Sequence, residues 1–505
     1  MMSRVDAFRS YRRDIGRFSR DVIGVPLYPY QVRWANYIME AIRQGRNETI
    51  VVEMSRQSGK NETSAQMEVN LLANAAKRGG DIVKTAPTWK PQIVNSKLRF
   101  EDRAKQAAAR LNFLKFKPSQ GYINRCGQAS IQFLSAEKNA SVVGATASLL
   151  MEVDEAQDVD RAVFDKKFSP MRASTGATIV AYGTTWTDDT LLERFKADIE
   201  QGRASGQYFR VTPEEIALSN PAYGLFVDSE VKRLGREHPL IKTQYFLEPL
   251  PSAGRMLNQQ QLESMIGEHK RQDRRQNEAQ IVAGLDFAGA DEVTEELVSL
   301  ASSGKRDSVG LAIGVVDWVQ IVEGLMVPYV RCLARYEWLN VDPISLHTIL
   351  YQLIWDKWRC DRVHCDATGI GETGTALLAA AINKPGRERV IAIKFDSAWN
   401  AHTRLAFNAL ATINGGRFKD YKEPEVAPIE LAGQEAPDTS SAHRHVWWQR
   451  GHVKLQGKPG QRVRTFVPDG EGHDDLWRSD ELMIDAAHAV GKPQIAKAGM
   501  VDFYA

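Results

Sequence analysis

Between residues 48 and 186, short β-branched apolar runs alternate with stretches whose apolar positions recur at helical spacing. The runs Thr49–Glu53, Asp81–Thr85, Ser130–Leu134, Leu149–Val153 and Thr178–Tyr182 predict strands. Between the first two, SAQMEVNLLANAAKR predicts a helix. Such alternation builds a parallel sheet covered by helices. In the second half, QIVAGLDFAGA (280–290), SVGLAIGVVD (308–317) and the start of RVHCDATGIGETG (362–374) predict further strands. EGHDDLWRSDELMIDAAHA (471–489) predicts an amphipathic helix. The polar, helix-prone stretch 251–280 reads as a connection between a first domain (1–250) and a second (281–495), with a tail at 496–505. The expected class is α/β throughout, without internal repeats.

Composition changes this picture little. A chain of 505 residues has room for two or three domains. A net charge of +2 neither requires nor excludes nucleic acid, so local patches must decide. No apolar run approaches the ~18 residues of a membrane span, and the first twenty residues lack the apolar segment of a signal peptide. Four cysteines fit reduced thiols, and a cytoplasmic protein without a membrane partner is expected. Cys360, His364 and Cys365 lie close together, but no second ligand pair has zinc spacing, so packing roles are expected.

The first strand feeds VVEMSRQSGKNET (51–63), a polar loop closing on Gly59 and Lys60. Backbone N–H groups and a helix N-terminus converge after such a strand and bind phosphate. Lys60 would reach the β- and γ-phosphates of ATP, and Gly59 would let the backbone approach them. Arg56, Gln57 and Ser58 complete the loop. Met54 stands where the usual pattern has its first glycine, and Asn61 where it has Ser or Thr. Asn61 or Thr63 must therefore serve near Mg²⁺. LLMEVDEAQD (149–158) ends a buried run in adjacent acids. Asp154 would hold Mg²⁺ through water, and Glu155 would orient the attacking water. IVAYGTTW (179–186) ends at Thr184, whose hydroxyl would sense the γ-phosphate. Upstream, Gln31 in LYPYQVRW can pair with adenine beside aromatic neighbours.

The second half offers three carboxylate stations: Asp286, Asp366, and the pair Asp474 and Asp475. Two strand ends and a helix start can converge despite their distance in sequence. Such a cluster would bind two divalent metals for phosphodiester cleavage. Oxygen donors without a His/Cys set favour Mg²⁺, or Mn²⁺ in its place. Glu372 ranks well below the aspartates. Residues 439–468, with Arg444, Arg450, Lys454, Lys458, Arg462 and Arg464 and no acid, predict an exposed basic hairpin that holds DNA phosphates.

With these pieces in this order, the chain resembles the large terminase subunit of tailed bacteriophages, from Gln31 to the GHDDL run. The family's phosphate loop often reads R-Q-x-G-K, which Arg56, Gln57, Gly59 and Lys60 match. The resemblance implies an N-terminal additional-strand P-loop ATPase domain and a C-terminal RNase H-like nuclease domain. It implies ATP-driven movement of double-stranded viral DNA through the portal protein into a procapsid, and cuts in concatemeric DNA. It further implies a small terminase subunit as partner, a homo-oligomeric ring on the portal (compatible with a monomer when free), and a place in the host cytoplasm and at the portal vertex but not in the mature virion. Many members carry an Arg-Gly pair ahead of the catalytic glutamate, where this chain has Val143 and Gly144. A trans-acting arginine would then lie elsewhere, with Arg125 and Arg56 as candidates. The rival readings are a helicase–nuclease of repair or phage defence, which needs a second RecA-like domain, and a DNA-binding scaffold with degenerate motifs.

Overall fold

A computed structural model describes residues 11–140, 142, 144–251, 255–276, 279–287, 308–322, 324–339, 341–369, 371–422, 441–458, 460–468 and 473–492. Val143 and the expected tail at 496–505 lie outside them. The chain divides into two units, the first built mainly from residues up to Val231 and the second mainly from residues after Pro251.

The first unit is built on an eight-stranded sheet. Its strands are β1 (Thr49–Met54), β2 (Gly80–Ala86), β3 (Phe116–Ser119), β4 (Ile123–Cys126), β5 (Ala129–Ser135), β6 (Leu150–Val153), β7 (Thr178–Gly183) and β8 (Gly206–Val211). They run in the order β3-β4-β5-β2-β6-β7-β1-β8. Neighbours from β5 to β8 are parallel, and β3 and β4 extend one edge antiparallel. The five expected strands are all present. Hydropathy missed β3, which contains Pro118 and has no buried position, and β8, which is buried only at its last residue. It also missed the four-residue β4. The central β1, β6 and β7 are buried along their whole length, as parallel strands covered on both faces must be. Helices α1 (Pro29–Gln44), α2 (Lys60–Ala75) and α3 (Val94–Arg110) belong to this unit, and α2 is buried nearly throughout.

The second unit has a seven-stranded sheet of β9 (Ile266–Lys270), β10 (Gln280–Asp286), β11 (Val309–Val322), β12 (Leu325–Trp338), β13 (Arg362–Asp366), β14 (Val390–Ile393) and β15 (Phe418–Lys422). Its order is β14-β13-β10-β11-β12-β15-β9. β10, β11 and β12 pair antiparallel, whereas β13 joins β10, and β14 joins β13, in parallel. This is the RNase H-like strand arrangement. The stretch expected as a connection contributes β9, which pairs with β15. Helices α4 (Asn400–Asn414), α5 (Ala442–His452) and α6 (Asp475–Ala489) follow. Strands β16 (Lys454–Lys458) and β17 (Arg462–Phe466) form a separate two-stranded ribbon. The basic stretch is therefore part helix, and the expected hairpin occupies only its second half.

Helix α6 is buried on every face from Asp475 to Ala487, and its polar residues there need internal partners. It lies so close to β10 that a Cβ on Gly284 would stand 2.0 Å from the Ser479 carbonyl oxygen and 2.3 Å from the Met483 nitrogen. Both obstacles are backbone and cannot swing away. Gly284→Ala is therefore expected to destabilise the second unit by about 3 kcal/mol. Chemical denaturation followed by tryptophan fluorescence, with Trp477 in α6 as a reporter, measures this. An unchanged midpoint would mean that α6 does not rest on β10.

Candidate functional site

In the first unit, β6, β7 and β1 are parallel neighbours, so their carboxyl ends open on one edge of the sheet. The loop after β1, the acids after β6 and Thr184 after β7 meet there. Gly59 takes φ +88° and serves as N-cap of α2, so the loop turns directly into the helix at Lys60. A side chain at 59 would stand 2.3 Å from the Gln31 amide nitrogen, a second reason for glycine. Lys60 is buried, and its Nζ donates to Thr184 Oγ1 at 3.0 Å and lies 3.7 Å from Glu155 Oε1. Asn61, with its amide nitrogen turned toward Asp154, donates to both carboxylate oxygens at 3.3 Å. Thr63 instead donates its hydroxyl to the Gly59 carbonyl at 3.1 Å. Of the two residues considered for the metal side of the loop, Asn61 is the one that faces Asp154.

The rest of the loop is held by its backbone. The Arg56 N–H donates to the Gln244 carbonyl, and its own carbonyl accepts from the Tyr223 hydroxyl, both at 2.8 Å. The Arg56 and Gln57 side chains stay exposed, and Ser58 is buried. Gln31 departs from its expected role. Its amide nitrogen donates to the Ser58 carbonyl at 3.1 Å, and its oxygen accepts from the Tyr28 N–H at 2.8 Å. Both ends of the amide thus brace the loop.

Burial raises the proton affinity of Asp154, and Glu155 adds to the effect, with Lys84 and Lys60 opposing. Glu155 holds a left-handed backbone, φ +47°, uncommon for a residue with a side chain and frequent at functional sites. Below the edge lies a polar cluster that the sequence did not announce. Lys84, on β2, donates to Glu68 and Ser64 of α2, both at 2.7 Å, and stands 3.9 Å from Glu152 on β6. The Tyr182 hydroxyl on β7 donates to Glu152 at 2.9 Å.

In the second unit, β10 and β13 run parallel with Leu285 opposite Cys365, so Asp286 and Asp366 end adjacent strands. The two carboxyl groups are close enough for the charge of Asp366 to act on Asp286. Asp475, the first residue of α6, accepts from the Ser308 N–H at 2.9 Å and the Ser308 hydroxyl at 2.7 Å. Asp474 is paired with Arg478 at 3.2 Å, and Arg478 also binds Glu481. Asp286 is pushed well above the ordinary carboxylate range, first by burial and then by Asp475, Asp366 and Asp474, with Arg478 opposing. Burial likewise raises Asp366, and it raises Asp475 to about 6. The adjacent pair is thereby separated: Asp475 adds to the buried acid group, whereas Asp474 is offset by an arginine. Glu372 does not join them; it is exposed and pairs with Lys394 at 2.6 Å. Among the described residues, no three His, Cys, Asp or Glu side chains form a ready metal cage. Cys360 and Cys365 pack in the core, and His364 is bound to Asp485 at 2.8 Å, which removes the zinc alternative.

The basic stretch separates into two groups. Arg450 is fully buried on α5 and pairs with Asp420 at 2.7 Å and Asp480 at 2.6 Å. A guanidinium committed to two carboxylates inside the fold cannot meet DNA phosphate, so Arg450 leaves the predicted contact set. On the ribbon, Val463 and Thr465 point inward, while Arg462 and Arg464 alternate outward at the strand period of two. Lys454 is half-buried on β16, Lys458 ends that strand, and Arg444 is half-buried on α5.

No family model and no curated protein matches this chain. Among solved structures, it is similar to the large terminase of the thermophilic bacteriophage D6E, at 11% identity over 91% of this chain and 98% of that one, with a TM-score of 0.41. The large terminase of bacteriophage HK97 is 14% identical over 96% and 100%, TM-score 0.40. The D6E large terminase in complex with ATP-gamma-S is 10% identical over 91% and 99%, TM-score 0.39. At scores this low the likeness carries no functional inference; the chemistry of the two sites must do so.

The acid group predicts a pH response. Asp475 binds its proton more tightly in the folded chain, at about 6, than at its ordinary 3.8. The folded state then holds more protons than the unfolded state between these values. Stability from this group is therefore present at the acid end of the window and lost as pH rises through about 6. In EDTA, the second unit is expected to melt at a higher temperature at pH 5 than at pH 7, and Asp475→Asn should shrink that difference. Equal differences in parent and variant would show that Asp475 is not the titrating group.

Proposed function

We propose that this chain is the large terminase subunit of a tailed bacteriophage, an ATP-driven DNA translocase joined to a metal-dependent endonuclease. One observation carries the reading. Lys60, Asp154, Glu155 and Thr184 meet at a phosphate loop in one unit, and Asp286, Asp366 and Asp475 gather at the strand ends of an RNase H-like sheet in the other. A helicase–nuclease would need a second parallel nucleotide-binding sheet, and the antiparallel β10–β11–β12 set argues against one.

In the motor, the loop N–H groups and the start of α2 receive the ATP phosphates. Lys60 neutralises the β- and γ-phosphates. Asn61 and Asp154 face each other where the nucleotide's Mg²⁺ would be held, Glu155 orients the attacking water, and Thr184 meets the γ-phosphate. In the nuclease, Asp286, Asp366 and Asp475 would hold Mg²⁺ or Mn²⁺, with Asp474 outside them beside Arg478. Buried carboxylates that raise one another's proton affinity are short of positive charge, and all-oxygen donors suit hard cations. When bound, two such ions activate a water and stabilise the leaving oxygen of a phosphodiester. Arg462, Arg464, Lys454, Lys458 and Arg444 would hold the strand by charge, with little sequence preference. The substrate is double-stranded viral DNA. The partners are the portal protein, the small terminase subunit and further copies in a ring, in the host cytoplasm and at the portal vertex.

Lys60→Ala or Glu155→Ala is expected to lower ATP turnover by ~10²-fold or more while plasmid nicking persists. Asp286→Asn and Asp366→Asn are expected to do the reverse, abolishing Mn²⁺-dependent nicking with ATP turnover intact. Parental turnover in Lys60→Ala would refute the motor assignment. Parental nicking in both Asn variants would refute the nuclease.

A further inference from the structure

Four residues close a ring at the nucleotide edge, and one of them has no part in the chemistry so far. Lys60 donates to the Thr184 hydroxyl at 3.0 Å. The Thr184 N–H donates to Gln157 Oε1 at 3.2 Å, and Gln157 Nε2 donates to Glu155 Oε2 at 2.6 Å. Glu155 Oε1 returns to Lys60 at 3.7 Å. Gln157 sits in the short 3₁₀ turn Ala156–Asp158 that follows the acids of β6, and it is only 5% exposed.

From these contacts we infer that Gln157 is a positioning residue of the nucleotide site, holding Glu155 and Thr184 in fixed register; this rests on the ATPase reading above. Its two partners fix the orientation of the amide, because the carboxylate can only accept and the backbone N–H can only donate. No other side chain of that length supplies a donor on one side and an acceptor on the other. Glutamate would set a second acceptor against Glu155, and methionine would offer neither bond.

The neighbouring strand is built around this amide. A Cβ at Gly183 would stand 2.5 Å from Gln157 Oε1, so glycine at the end of β7 keeps the space open. Glu155 is otherwise a flexible side chain with 27% of its surface exposed, on a left-handed backbone. Tying one carboxylate oxygen to Gln157 leaves the other toward Lys60, and it makes the water-orienting carboxylate move with Thr184. Displacing a reacting group by about 1 Å costs on the order of 10²-fold in rate.

Steady-state ATP hydrolysis by the full chain with Mg²⁺ tests this, using Gln157→Met and Gln157→Glu. The first removes both bonds at similar volume, and the second keeps the bond from Thr184 while losing the one to Glu155. Both are expected to lower kcat by about 10- to 100-fold, with KM for ATP within about threefold of the parent. A residue that only stabilises the fold would lower the melting temperature and leave kcat per folded molecule unchanged. Parental kcat in either variant that folds, or a rise in KM that accounts for the whole loss, overturns the inference. Glu155→Gln separates the two levels. If it hydrolyses ATP at the parental rate, the assignment of the hydrolytic site to this edge falls. If it is inactive while the Gln157 variants are parental, only the role of Gln157 falls.

Discussion

Lys84 carries its charge at 1% exposure, and the nucleotide edge depends on how that charge is met. Glu68 and Glu152 face it from α2 and β6, so one ammonium joins the loop helix to the strand that delivers Asp154 and Glu155. Two carboxylates against one cation leave a proton to be shared. Burial and Glu68 drive Glu152 toward the protonated form, while Lys84, acting against burial, keeps Glu68 ionised. Removing one partner of such a group commonly costs about 3 to 5 kcal/mol, because the other is left buried and unpaired. The loop helix, β2 and the acid-bearing β6 are therefore one electrostatic unit.

The same requirement shapes the second unit, with the opposite outcome at its site. Arg335 and Arg450 are both buried, and they meet Asp420 and Asp480, which ties β12, α5, β15 and α6 together. Burial opposes ionisation of Asp420, yet the two arginines hold it far below the ordinary carboxylate range. A few residues earlier in α6, the acids near Asp286 are opposed by Arg478, which Glu481 and Asp474 already occupy, and Asp475 by His473 as well. One end of the cluster is neutralised by the protein itself. The other lacks such a balance, and its carboxyl groups hold their protons more tightly instead.

What could be read in the sequence follows from range. Strands announced by continuous apolar runs, and residues fixed by the strand ends they follow, such as Lys60, Asp154, Asp286 and Asp366, depend on local pattern. Arg450 was misread because its partners Asp480 and Asp420 lie elsewhere in the chain, so a buried cation looked like an exposed one. Gln31 was assigned to a ligand because nothing nearby in sequence reveals that the loop backbone 27 residues on takes its amide. Glu372 shows the same limit in reverse: a carboxylate just after an acid-tipped strand faces solvent on a helix. Polar side chains that join distant elements leave no periodic trace, and the missed edge strands lack the apolar run that would mark them.

The seating of α6 on β10 also dictates an order of events during synthesis. Ser308 and Asp475, which bind each other, are 167 positions apart, and Gly284 is covered by Ser479 and Met483. Until α6 has left the ribosome, β10 has no cover on that face and its Asp286 has no Asp475 beside it. Contacts of such long range form late and slowly. The strands of the second sheet must wait, partly assembled, for a helix made long after them. The acid group of the second unit then becomes complete only after the first unit has been made.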